Sequence, residues 1–335
     1  MADHDTNDHA AEAEASEDPE PVLKYQRLGA SVTEILAADA ASCLAVHAKF
    51  LALGTVAGAV HVLDLNGNEI RRFKPHSARV NGISIDRTGE FVGSCSEDGT
   101  VVISSLYGAA ASTHWYHRPV SAMAFDPDYA AKRVFAAGGL AGQLIVNSKG
   151  WFGSKDAVLH SGEGAVHAIA CCGPMLAWAN ELGAKVYDAL HAKRVSYVAR
   201  PAGSGPTGTA PSALLRCHLR WESETELLIG WVDEIRIGRV RTGSARAGGV
   251  GGTRAGDGTT LSLVGAGGAA AAGAAKYMEI VTLIQTDFYI CGLGCVKLRQ
   301  EEGVRKARVR VRDMARARAG LCAAAAGRKG AQQQG

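Results

Sequence analysis

The sequence predicts an all-β protein, a β-propeller of about six recognisable blades with disordered ends. Two observations predict it. Short β-rich runs are separated by polar turns, and the group of runs recurs along the chain. The clearest unit spans Val80 to Leu106. Val80-Asn81-Gly82-Ile83-Ser84-Ile85 is a strand closed by the turn Asp86-Arg87-Thr88-Gly89. Phe91 to Ser96 is a second strand, and Glu97-Asp98-Gly99 is a turn with glycine where φ must go positive. Thr100-Val101-Val102-Ile103 follows, rich in β-branched residues. Related units begin at Ser42, Val120, Val166, Leu214 and Met278. The successive intervals Val80 to Val120, Val120 to Val166 and Val166 to Leu214 are 40, 46 and 48 residues. A period of about 40–50 residues with four strands per unit is the signature of a radial array. Each unit buries its faces only against its neighbours.

Taken in order, residues 1–20 carry eight acidic residues and no Lys or Arg. They hold too little apolar surface to offset chain entropy and are expected to be disordered. The propeller is expected over 21–296. Pro21 to Leu28 suits an extended strand that closes the last blade, and Val32 to Leu36 is a short apolar lead-in. Asp64 to Asn68 is a turn, and Ile70 to Phe73 is an outer strand exposed on one face. Residues 107–119, with Trp115 and Tyr116, suit another outer strand, and Trp151-Phe152 begins a third. Residues 201–211 and 241–275 are glycine-rich and expected to be flexible loops. Residues 297–335 form a basic, low-complexity tail with eleven Lys or Arg against three acids, expected to be disordered.

The chain has 335 residues, 47% of them apolar and 21% charged, enough to bury a sizeable core. The net charge of +3 hides the acidic and basic ends, which offset one another, so it argues for no nucleic-acid partner. No signal peptide is recognisable, and the eight cysteines fall mostly in apolar strand patterns. Reduced, packed thiols are therefore expected.

No catalytic constellation stands out. The phosphate-loop, nucleophile-elbow, zinc-protease and paired-cysteine patterns are all missing. Gly138 to Gly142 lies between strands rather than before a helix, so it suits a blade turn. Cys291 with Cys295, and Cys43 with His47, have loose ligand spacing without a second pair. His160 near Glu163 and Asp156 has no nucleophile beside it. No enzyme activity, cofactor or metal is expected. Trp115, Trp151 and Trp231 are candidate interaction anchors, because tryptophan is enriched at binding hot spots.

One pairing resembles the WD-repeat motif. His76 precedes the strand at Val80, and Asp98 sits in the turn before Thr100. In WD repeats a histidine before the first strand reaches an aspartate in the turn, and a hydroxyl extends the network. The resemblance implies that His76 and Asp98 form a structural hydrogen-bond pair, in a WD40-like propeller whose other units are degenerate.

A longer series is more specific. Glu20 to Leu28, Val32 to Leu36 and Asp39 to Cys43 open it, and Lys49 to Thr55 and Cys95 to Gly99 follow. Ala157 to Gly164, Leu176 to Asn180, Leu228 to Trp231, Tyr277 to Val281 and Thr286 to Leu293 complete it. Together they resemble the vacuolar protein sorting-associated protein 41 family, subunits of the HOPS tethering complex, over roughly Glu20 to Gly294. The resemblance implies a non-enzymatic interaction module acting in vesicle-mediated protein transport and late endosome–vacuole fusion. It implies other HOPS tethering subunits and a late-endosomal Rab GTPase as partners, with SNAREs engaged indirectly. It also implies a cytoplasmic location, peripheral on late endosome and vacuole or lysosome membranes through those partners. The family continues into further propeller, an α-solenoid and a RING zinc domain, and this sequence departs from it near Cys295. The alternatives are a generic scaffold propeller unrelated to trafficking, or a truncated, non-functional product.

Overall fold

The computed structural model describes residues 26–108, 110–150, 153–201, 216–243, 275–287 and 289–294. These build five four-stranded antiparallel sheets. The first contains β1 (Ala41–Val46), β2 (Leu51–Thr55), β3 (Val60–Leu63) and β4 (Glu69–Phe73). The second contains β5 (Val80–Ile85), β6 (Phe91–Ser96), β7 (Thr100–Ser105) and β8 (Ala111–Trp115). The third contains β9 (Val120–Phe125), β10 (Phe135–Gly139), β11 (Leu144–Gly150) and β12 (Gly153–His160). The fourth contains β13 (Ala168–Cys172), β14 (Met175–Ala179), β15 (Gly183–Asp188) and β16 (Lys193–Ala199). The fifth contains β17 (Cys217–Ser223), β18 (Glu226–Trp231), β19 (Glu234–Thr242) and β20 (Lys276–Gln285).

Every sheet is an up-and-down meander with strands in chain order. Successive first strands are neighbours, running β1, β5, β9, β13, β17. That succession is the radial arrangement of propeller blades. In the first and fourth sheets the second and third strands are buried on both faces and are mostly apolar. The outer strands are exposed, as in Glu69-Ile70-Arg71-Arg72-Phe73. The predicted turns match closely. Gly99 closes the β6–β7 hairpin with φ of +83°. Gly58 in the β2–β3 hairpin has φ of +91°, and a Cβ there would lie 2.4 Å from the His76 carbonyl oxygen.

The core lies between the blades. Phe50, Ala52, Val60, Val62, Val80 and Val92 join the first two sheets. Val101, Ile103, Met123, Phe125, Tyr129 and Phe135 join the second and third. Leu144, Val146, Leu176, Trp178 and Tyr187 join the third and fourth. Met175, Val186, Trp221, Leu227 and Trp231 join the fourth and fifth. This neighbour-on-neighbour burial is the physical content of the repeat.

Three expectations change. The lead-in around Val32 to Leu36 is a helix, α1 (Ala30–Ala38). Val32, Ile35 and Leu36 share one face by their spacing and pack on Leu51, Leu53 and Leu63 of the first sheet. Of the proposed closing strand, Gln26 to Leu28 belong to no strand, and Pro21 to Tyr25 lie outside the described residues. The sixth unit forms no sheet of its own among the described residues. Met278 lies in β20, the outer strand of the fifth sheet, and pairs with Val240. The glycine-rich stretch separates β19 from its hairpin partner, so one long hairpin mimics a blade boundary in the sequence. Residues 1–20, 202–211, 244–274 and 297–335 lie outside the described residues.

Candidate functional site

The second sheet holds the densest polar network. His76 is fully buried in the segment between β4 and β5, with Nδ1 3.3 Å from Asp98 Oδ2 and 2.8 Å from Thr100 Oγ1. Its Nε2 lies 2.8 Å from Ser94 Oγ. The Thr100 hydroxyl donates to Asp98 Oδ1 at 2.6 Å. The amides of Ser77 and Thr100 also donate to the Asp98 carboxylate, at 2.9 and 3.0 Å. These partners assign the tautomer: Nδ1–H donates toward Thr100 and Asp98, and Nε2 accepts from Ser94. Burial lowers the His76 pKa against the raising influence of Asp98, which favours the neutral ring. Burial alone would raise Asp98, but the hydrogen bonds from Thr100 and Ser77 outweigh it and the net shift is downward. The arrangement fastens the inter-blade segment to the β6–β7 turn. Ser94 is itself buried at 3% exposure, with the Val102 carbonyl also 3.4 Å from its hydroxyl, so that hydroxyl serves the network and faces no open surface.

The fourth sheet fills the corresponding place with different chemistry. Lys185 of β15 is buried, and its ammonium donates to Glu163 in the segment before β13. The Asn180 amide donates to the same carboxylate at 3.2 Å. His160 Nε2 lies 3.4 Å from both Lys185 Nζ and Glu163 Oε2. Burial and the charge of Arg194 pull Lys185 down to about 8. Burial, with Lys185 and Arg194 nearby, pulls His160 down to about 4. Asp156 is elsewhere, accepting from Asn147 at 2.6 Å and from Tyr116 at 3.5 Å. The structure therefore joins His160 to Glu163 and Lys185, not to Asp156.

This cluster has a pH consequence. The folded state holds His160 neutral down to about 4, whereas an unfolded histidine protonates near 6.5. The resulting stability is fully present above pH 6.5 and is lost as pH falls from 6.5 toward 4. His160→Gln is expected to flatten the decline in urea midpoint between pH 7 and 5. Equal declines in wild type and variant would show that His160 does not carry it.

The other sequence-derived sites separate clearly. His47 Nδ1 accepts from the Lys49 amide and its Nε2 donates to the Arg87 carbonyl, both at 3.3 Å. Cys295 lies outside the described residues, and no cluster of three or more metal-ligating side chains occurs among those described. Trp231 is 4% exposed and packs between the fourth and fifth sheets, with the Arg200 guanidinium 5.8 Å from its ring. Trp151 lies outside the described residues. Trp115 ends β8 and is 65% exposed.

The turn at the other end of β8 from Trp115 is held by Arg71. Arg71 of β4 donates to the carbonyls of Ser105, Leu106 and Gly108, at 3.4, 2.5 and 3.3 Å. It thus ties the first sheet to the β7–β8 turn of the second. Tyr107, 77% exposed in that turn, and Ile70, 63% exposed on β4, are further exposed apolar side chains. The sequence signal for Ile70 was an isoleucine amid the charged residues of an outer strand. Tyr107 carried no signal beyond its place in a turn.

Five meandering sheets with inter-blade cores and a His–Asp–Thr–Ser network define a WD40-like β-propeller. Solved structures agree on the fold. The Cps50 (Swd1) β-propeller domain of Myceliophteria thermophila matches with a TM-score of 0.50 and 22% identity, covering 62% of this chain and 67% of that one. A chain of a mitotic checkpoint complex matches with a TM-score of 0.51 and 16% identity, covering 76% and 68%. The family model Beta-prop_Vps41, described as "Vps42 beta-propeller", matches residues 23–301, and the chain belongs to that family. The vacuolar protein sorting-associated protein 41 homolog of Arabidopsis thaliana is 43% identical over 277 residues, which are 82% of this chain and 26% of the relative. The homolog of Homo sapiens is 35% identical over 277 residues, again 82% of this chain and 29% of the relative. The chain thus spans between a quarter and a third of these relatives' length. No helix among the described residues is long and apolar enough to cross a membrane.

Proposed function

We propose that this chain is a non-enzymatic protein-interaction module of a vacuolar or lysosomal HOPS tethering subunit. In this reading it acts in vesicle-mediated protein transport and in fusion of late endosomes with the vacuole. The observation that carries the reading is the family match across most of the chain, on a fold whose His76–Asp98–Thr100 and Glu163–Asn180 groups are engaged with one another. Partners are the other tethering subunits and a late-endosomal Rab GTPase, with SNAREs engaged indirectly. Membrane association is peripheral and runs through those partners.

Trp115 is the anchor this reading favours, because it pairs a large exposed ring with a strand held in a sheet. The test is affinity purification of the protein tagged at its N-terminus, followed by mass spectrometry. Recovery of tethering subunits supports the reading, and their absence at native expression sinks it. Trp115→Glu is expected to weaken capture of a direct partner about 30-fold, the scale of a hot spot, with little change in melting temperature. Unchanged capture would exclude Trp115 as the anchor while leaving the tethering role standing.

A further inference from the structure

We propose that the junction of the second and third blades is a second recognition site, which takes an acidic segment of a partner protein. Arg118 pairs with the segment's carboxylate, and Leu140 packs against a large apolar side chain beside it. The proposal rests on the reading of the chain as an interaction module. Two connections on the same end of the blades build the site: residues 116–119 between β8 and β9, and the β10–β11 turn at residues 140–143. The Leu140 amide donates to the Pro119 carbonyl at 3.1 Å, which sets one connection against the other.

The backbone around Arg118 is fixed before any partner arrives. The Tyr116 amide donates to the Gly99 carbonyl at 2.8 Å. The β6–β7 turn packs so closely that a Cβ on Gly99 would lie 3.1 Å from the Arg118 nitrogen. Between these anchors His117, with φ of +57°, takes the chain through the left-handed region that few residues with a Cβ adopt. A surface already ordered loses little freedom on binding.

The side chains select the occupant. Arg71, Arg87, Arg200 and Arg236 each meet a carbonyl or a carboxylate. The exposed Arg118 side chain has no hydrogen bond, ion pair or ring contact among the described residues. Arg79, whose carbonyl accepts the Glu97 amide at 3.1 Å, is a second such arginine on the far side of the β6–β7 turn. Asp98 on that turn is engaged by Thr100, Ser77 and His76, which leaves Glu97 as its exposed acid. An unpaired guanidinium grips a carboxylate at two points. Beside it Leu140 is 61% exposed, and a shallow cleft runs between Tyr116, Arg118, Pro119, Ala141 and Gln143. A cation next to an apolar side chain fits an acid followed closely by a large apolar residue. Two arginines parted by an acid do not make the basic stripe that a nucleic-acid backbone needs. The site is distinct from Trp115. That residue pairs with Thr100, whose hydroxyl meets His76, so the indole faces the first blade rather than this cleft.

Selection of a phage-displayed library of random peptides on the full chain tests this, followed by fluorescence polarisation with the selected peptides. Enriched peptides are expected to carry Asp or Glu close to Leu, Ile or Phe. Arg118→Glu and Leu140→Asp are each expected to weaken their binding at least about tenfold, with an unchanged circular dichroism spectrum. Changing the peptide's acid to Lys is expected to restore binding to the Arg118→Glu variant, which a merely structural role for Arg118 would not do. Enrichment of basic or purely apolar peptides would overturn the proposal, as would a library that yields no binder. So would binding that ignores Arg118→Glu and is lost with Trp115→Ala. None of these outcomes touches the tethering reading, which co-purification tests separately.

Discussion

Asp98→Ala is expected to destabilise the fold by about 3 kcal/mol, the scale for breaking a buried, hydrogen-bonded pair. The carboxylate accepts from the Thr100 hydroxyl, from the amides of Ser77 and Thr100, and faces His76. Removing it strands several donors in a place water reaches poorly. Asp98→Asn keeps an acceptor oxygen of similar shape and should cost about 1 kcal/mol, the net value of one hydrogen bond. The folded Asp98 titrates below 3.8, so its contribution is complete above that pH and is lost only in stronger acid. Removing Asp98 also removes its raising influence on His76, so urea denaturation should give a cost for Asp98→Ala at pH 5 at least as large as at pH 7. A cost near zero for Ala would show that His76, Thr100 and Ser94 hold the segment without Asp98.

Phe135→Ala is expected to cost about 3–5 kcal/mol, the range for emptying a buried aromatic site. Phe135 is 1% exposed, lies on β10 opposite Phe125, and packs among Val101, Ile103, Met123 and Tyr129. The His114 ring meets it edge-on at 5.0 Å between centroids. This cluster belongs to the apolar joint between the second and third blades, so the cavity opens at an interface rather than inside one sheet. The melting midpoint should fall by on the order of 10 °C. Since a domain has about 5–15 kcal/mol in all, the alanine variant approaches the limit of folding. Phe135→Leu keeps part of the volume and should cost less than half as much. Equal costs for the two would mean that ring shape, not lost volume, sets the penalty.

Most strands were legible because their signal is local. β5, β6 and β7 follow from alternation, β-branched residues and turn glycines within a few residues of one another. The polar contact of His76 with Asp98 was legible only through resemblance to a repeat motif. His160 near Glu163 was read from the sequence, but Lys185 beside them was not foreseen, since nothing in the spacing of 160, 163 and 185 says that β15 faces the preceding loop. Trp115 and Trp231 looked equivalent along the chain. One ends an outer strand and is exposed, and the other lies between two sheets.

Strand content, turn positions, the repeat length and the absence of a catalytic motif were all decided by neighbours in the chain. Residue chemistry and spacing settle those before any folding partner is chosen. Partner choice needed the third dimension. The helix α1 exists as a packed element because Leu51, Leu53 and Leu63 offer it an apolar face. β20 belongs to the fifth sheet because β19 offers its register across a long intervening stretch. Such choices rest on burial between residues far apart in sequence, and a period of two along one strand carries no information about which edge or face will meet it.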